Sequence, residues 1–206
     1  MKLIIASRNL STWSLRPWLT LKQAGLPFEE VLIPLNSSHT REEILKYSPS
    51  GWVPCLIDGD TLVWDSLAIC EYVAEQVPFL LPSDRKARAE ARSISAEMHS
   101  GFAPLRRTLP MNIQATPRRL EPPAEVAAEI ARIIAIWENC RSRYASQGPF
   151  LFGQFTFADA MFAPLVWRFR TYCIELPEAS NLWAQTMLAL PAMQEWRQGA
   201  LAEPPS

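Results

Sequence analysis

Ser11 and Ser14 stand three residues apart, where a short apolar run, Leu3 to Ala6, gives way to a helical pattern. This is C-x-x-C spacing with both sulfurs replaced by oxygen, so the pair cannot itself cycle a disulfide. A small hydroxyl at the opening of a helix suits an anion, because the helix dipole and the free backbone N–H groups favour negative charge there. The same serine serves equally as an ordinary N-cap. Asp65 and Ser66 precede a second apolar helical run and pose the same choice between capping and ligand binding. Pro54 follows Val53 at what reads as a strand start, where a residue with no ladder N–H needs a special reason. Cys55, Cys70, Cys140 and Cys173 lie far apart without a C-x-x-C pair, which argues against a zinc site and against a redox dithiol.

These residues need a scaffold, and the first 80 positions alternate in type. Leu3 to Ala6 reads as a buried strand, followed by a helix with Leu15, Trp18, Leu19 and Leu21 on one face, stopped by a left-handed cap at Gly25. Val31, Ile33 and Leu35 predict a second strand. Thr40 with Glu43 reads as a capping box opening a helix through about Tyr47, which Pro49, Ser50 and Gly51 end. Strands at Cys55 to Ile57 and Leu62 to Trp64 flank a turn at Asp58, Gly59 and Asp60, and Ser66 then caps a helix carrying Leu67, Ile69, Cys70 and Val73. The order is βαβα-ββα. Pro78 and Pro82 break the pattern, placing a linker at about 77–85 between a first domain, 1–81, and a second, 86–206. The second reads as all helical, with faces such as Val126, Ile130, Ile133, Ile134 and Trp137 punctuated by prolines.

With 206 residues, 49% hydrophobic and 20% charged, the chain is a folded protein rather than a disordered or fibrous one. Its 20 basic residues against 21 acidic ones leave no excess to hold a nucleic-acid backbone. No run is long enough to span a bilayer, and Leu3 to Ala6 is too short for a signal peptide, so the expected location is a reducing cytoplasm. Residues 83–119 carry eight basic and three acidic groups. An ordinary solvated helical face explains them; an anion-attracting rim is the functional reading.

The strand and helix order, with an all-helical partner behind a proline-containing linker, resembles the cytosolic glutathione transferases. Ser11, Thr12, Trp13, Ser14, Leu15 and Arg16 resemble the S-x-x-S-x-R segment of their serine-type bacterial members, near the zeta class that includes maleylacetoacetate isomerases. Val53-Pro54 resembles the family's Val-Pro, Asp65-Ser66 its acidic residue and serine, and Thr156 to Asp159 its T-x-x-D capping box. The chain departs from the zeta pattern at Trp13, where that class usually has a cysteine.

The resemblance implies a fold of α/β plus all-α type, a thioredoxin-like domain followed by a helical bundle. It implies a detoxifying transferase that uses glutathione as co-substrate, without a metal. Ser11 would stabilise the glutathione thiolate, whose attack falls on a hydrophobic electrophile. A cis Pro54 would turn the Val53 backbone toward the tripeptide's cysteinyl unit; Asp65 would meet the γ-glutamyl ammonium, Ser66 its carboxylate, and His39 the glycine end. His99, beside Met98 and Phe102, matches no motif and falls to core or surface ahead of the electrophile pocket. A homodimer is implied, without nucleic-acid or membrane partners. Two alternatives stand: a glutathione-dependent cis-trans isomerase, whose conjugated diketo acid would suit Arg106 and Arg107, and a non-catalytic interaction protein on the same fold.

Overall fold

A computed structural model describes residues 1–34 and 39–205. Its first half is a four-stranded mixed sheet in the order β2-β1-β3-β4, built from β1 (Lys2–Ile5), β2 (Glu29–Leu32), β3 (Cys55–Asp58) and β4 (Thr61–Trp64). β1 pairs parallel with β2 and antiparallel with β3, which pairs antiparallel with β4. The parallel pair needs a crossover, supplied by α1 (Thr12–Ala24); the β3–β4 pair closes tightly through Gly59, whose φ of 57° a side-chain-bearing residue adopts at a cost. Between them lies α2 (Thr40–Leu45), and after β4 comes α3 (Ser66–Gln76).

Alternation along β1 sorts its side chains between two faces. Leu3 and Ile5 join Leu15, Trp18, Leu19, Ile69 and Val73 in the main core, while Ile4 packs with Ile33, Ile44 and Cys55 on the α2 side. Each such side chain, fully buried, contributes about 1.5–3 kcal/mol. α1 stops as its sequence demands: Gly25 takes φ 69° and its N–H reaches back to the carbonyls of Leu21 and Lys22.

Two local expectations are corrected. Thr40 is the first residue of α2 and not its cap; His39 holds that position, and the Thr40 hydroxyl donates to the Pro34 carbonyl at 2.8 Å. The second strand runs from Glu29 to Leu32, earlier than the alternation of Val31, Ile33 and Leu35 suggests, because its register is set by pairing with Lys2–Ile5; Leu35 lies outside the described residues.

The helical half follows, with α4 (Arg85–Ser100), α5 (Ala103–Thr108), α6 (Ala124–Tyr144), α7 (Phe157–Thr171), α8 (Glu178–Ala189) and α9 (Pro191–Ala202) among the described residues. α7 is its buried axis, packed against both α4 and α1. A helix that starts inside a core must satisfy its own N–H groups there. Asp159 does so: its carboxylate accepts from the backbone N–H groups of Leu151 and Thr156 and from Trp183 Nε1, each at 2.9 Å. The T-x-x-D motif is thus a capping box and also ties α7 to α8 and to the preceding loop. No described helix is long and apolar enough to cross a membrane.

Candidate functional site

The edge of the sheet and the first helix of the second half enclose a cavity of about 270 Å³, lined by Val53, Pro54, Asp65, Ser66, Trp13 and His99, with Ser50, Trp52 and Trp64 completing the wall. Four of the expected site residues therefore converge. Val53-Pro54 is a cis peptide bond.

Asp65, not Ser66, caps α3. Its Oδ1 accepts from the N–H groups of Leu67 at 2.8 Å and Ala68 at 3.4 Å, and its backbone sits at φ 78°. A non-glycine residue held there costs about 1–3 kcal/mol and persists only where its surroundings fix it. The consequence lies next door. Ser66, relieved of capping, leaves its hydroxyl fully buried with no hydrogen-bond partner among the described residues. Such a group costs free energy unless something fills its valence.

The second carboxylate oxygen of Asp65 faces His99, with Oδ2 3.2 Å from Nε2. The His99 ring also meets Trp13 edge to face at a centroid distance of 5.4 Å. This corrects the expectation that His99 belongs to the core or the open surface. No motif marks it; the signal was its place on the face of α4 that meets Asp65 and Trp13, which needs the packing of α4 to read. Burial holds the His99 pKa below the ordinary imidazole value, against the pull of Asp65 and with the repulsion of Arg16 and Arg106.

Ser11 caps α1. Its Oγ accepts the Ser14 N–H at 3.3 Å and donates to Ser14 Oγ at 2.8 Å, which in turn accepts the Ala6 N–H at 3.1 Å. Ser14 is wholly buried and bound to the strand end, so Ser11, 8% exposed, is the outer member of the pair. Ser11 does not itself line the cavity; it opens the helix whose second residue, Trp13, forms part of the wall. His39 is not brought to the cavity either, since its side chain is 70% exposed at the start of α2, 3.1 Å from a Glu42 oxygen.

Positive charge gathers behind Trp13. The Arg16 and Arg106 guanidinium groups lie 4.5 and 4.8 Å from its ring centre. Arg16 is fully buried, its Nε donates to the Met161 carbonyl at 3.1 Å, and its two terminal nitrogens have no acceptor among the described residues. Burial and the neighbouring Arg106 lower its pKa. Cys55 and Cys70 are buried, and burial raises both thiols, Cys70 to about 12, so neither is a ready nucleophile.

Comparison with known proteins addresses the same segments. A family model described as the glutathione S-transferase N-terminal domain matches residues 10–76, and one described as its C-terminal domain matches 116–199. Glutathione S-transferase 1 of Dianthus caryophyllus is 35% identical over 114 residues, covering 54% of this chain and 52% of that protein. Maleylacetoacetate isomerase of Mus musculus is 40% identical over 106 residues, 48% of this chain and 47% of that one. In each of these alignments the chain spans about half the length of the curated relative. Among solved structures, maleylacetoacetate isomerase of Methylobacterium extorquens AM1, with bound malonate and GSH, superposes with a TM-score of 0.71 at 25% identity, covering 100% of each chain. The cis Val53-Pro54 bond, the Asp65-Ser66 junction and the serine-capped first helix fall in the segment matched to the N-terminal family model, the buried Asp159 capping box in that matched to the C-terminal one, and the chain belongs to the glutathione S-transferase family.

Proposed function

We propose that the protein is a glutathione transferase that binds glutathione in this cavity and activates its thiol for attack on a hydrophobic electrophile. One observation carries the reading: a buried Ser66 hydroxyl, without a hydrogen-bond partner among the described residues, beside the Asp65 carboxylate at the start of α3 and sharing a cavity with Val53-Pro54. A γ-glutamyl group brings a carboxylate for Ser66 and the first N–H groups of α3, and an ammonium for Asp65 Oδ2. The Val53 backbone then pairs with the cysteinyl unit as a peptide extends a sheet edge. His39 is left an outer contact with the glycine end.

The thiol is delivered toward the start of α1. A free thiol with a pKa near 8.5 is only a few per cent thiolate at neutral pH, so the site must favour the anion. Ser11 turns its hydroxyl from Ser14 to the sulfur, and the helix N-terminus and buried Arg16 add positive potential. The thiol proton leaves to solvent, the sulfur lone pair forms a bond to the electrophilic carbon, and the leaving group departs with its bonding pair. Residues 1–81 supply the glutathione side, and 86–206, through α4 and α5, the electrophile side. Assembly as a two-fold homodimer in the cytoplasm accompanies this reading.

Arg106 favours a second reading. Its guanidinium is fixed by the carbonyls of Gly101 and Met98 beside Trp13, which suits an anionic acceptor and the cis-trans isomerase alternative. Calorimetry with glutathione tests the first reading: Asp65→Asn keeps the cap oxygen, removes the charge and weakens binding, whereas Asp60→Asn in the β3–β4 turn binds as wild type. Equal binding by both variants contradicts it.

A further inference from the structure

The loop that leads to Ser11 is held by residues nearly two hundred positions away. Glu203, just past α9, lays its carboxylate into the turn of Ser7 to Asn9: Ser7 Oγ donates to Oε2 at 2.6 Å, the Arg8 N–H to Oε1 at 2.6 Å and the Asn9 N–H to Oε2 at 3.2 Å. Ser7 passes the restraint forward, since its carbonyl accepts the Ser11 N–H at 2.8 Å and its Oγ accepts the Leu10 N–H at 3.2 Å. Neighbouring groups secure the same clasp. Trp196 Nε1 of α9 donates to the Arg8 carbonyl at 2.8 Å, and Gln114 Nε2 donates to the carbonyls of Ala200 and Glu203, each at 2.9 Å. Gln114 also exchanges hydrogen bonds with Asn9, its N–H donating to Asn9 Oδ1 at 2.9 Å and its Oε1 accepting from Asn9 Nδ2 at 3.2 Å.

We infer that Glu203 is a positioning residue for Ser11, the segment after α9 acting as a latch that sets where the Ser11 hydroxyl and the first N–H groups of α1 stand. The inference rests on the proposed role of Ser11. A carboxylate accepting three donors from one turn restrains that turn directionally, since hydrogen bonds to a carboxylate are stronger than those between neutral groups. Displacement of a reacting group by about 1 Å costs up to about a hundredfold in rate, so a loosened turn is felt in the chemistry.

The test compares Glu203→Ala, Glu203→Asp, Ser7→Ala and Ser11→Ala in the full chain. Each is read by ultraviolet titration of the bound glutathione thiol and by kcat and KM with an activated aryl chloride. Glu203→Ala is expected to raise the thiol pKa and lower kcat about tenfold with the KM for glutathione nearly unchanged, and Glu203→Asp to restore part of both. Ser7→Ala, which removes the joining hydroxyl while leaving α9 in place, shifts the pKa in the same direction and keeps the test decisive if Glu203→Ala folds poorly. Wild-type pKa and kcat in Glu203→Ala and Ser7→Ala, with a clear loss in Ser11→Ala, overturn the latch alone. A silent Ser11→Ala overturns the Ser11 reading and the latch with it.

Discussion

His99 Nε2 stands 3.2 Å from Asp65 Oδ2, so α4 of the helical half reaches the carboxylate proposed to receive the ammonium of glutathione. Ring and ligand compete for one oxygen. Because burial keeps the His99 pKa low, the ring is neutral at neutral pH and yields to a cation. As pH falls through the lowered pKa, the imidazolium holds Asp65 and glutathione affinity drops. Arg16 and Arg106, the other charges facing the ring, stay positive throughout and oppose its protonation. His99→Phe keeps an aromatic ring against Trp13 and flattens the pH profile of affinity measured by calorimetry.

The same shift bears on stability, with a definite sign. A histidine whose folded pKa lies below its unfolded value of about 6.5 contributes stability that is present above that value and lost as pH falls through the folded pKa. Thermal melts of wild type are expected to lose ground to His99→Phe on acidification, and parallel curves for the two proteins contradict this.

Ser14 is the inner strut of the serine pair. Ser14→Ala leaves the buried Ala6 N–H without an acceptor, at a cost of about 1–3 kcal/mol in denaturant unfolding, while conjugation stays close to wild type. A large loss of rate without a loss of stability would exchange the roles of the two serines.

Asp159→Ala strips four buried donors at once, the N–H groups of Leu151 and Thr156, the Thr156 hydroxyl and Trp183 Nε1. At about 1–3 kcal/mol for each unsatisfied group, the variant is expected to lose about 3 kcal/mol or more by urea midpoint. A loss near that of a surface cap, about 1 kcal/mol, would mean the junction relaxes around the gap.

Much of this was legible in the residues themselves. The alternation of β1, the stop at Gly25 and the turn at Gly59 are local signals that delivered the strands and first helices, while the resemblance carried by Val53-Pro54 and Asp65-Ser66 singled out four residues of the cavity. What escaped depends on distance in sequence. Asp65 rather than Ser66 caps α3, a choice made by a backbone angle that composition does not encode. Thr40 found an acceptor at Pro34 instead of capping its helix. His99 gains its meaning only once α4 packs across from Asp65, and Glu203 carries no motif at all.

The account turns on whether Ser11 ionises the sulfur of bound glutathione. A neutral donor facing an ion contributes about 1.5–3 kcal/mol, so Ser11→Ala is expected to raise the bound thiol's pKa by about one to two units and slow conjugation about 10- to 150-fold at neutral pH. Affinity for glutathione changes far less, because it is spread over Val53, Asp65 and Ser66. The measurement is the thiolate absorbance of the glutathione complex titrated against pH for wild type and Ser11→Ala. A clear upward shift is the predicted result; superimposable titrations would reduce Ser11 to a helix cap and contradict the account.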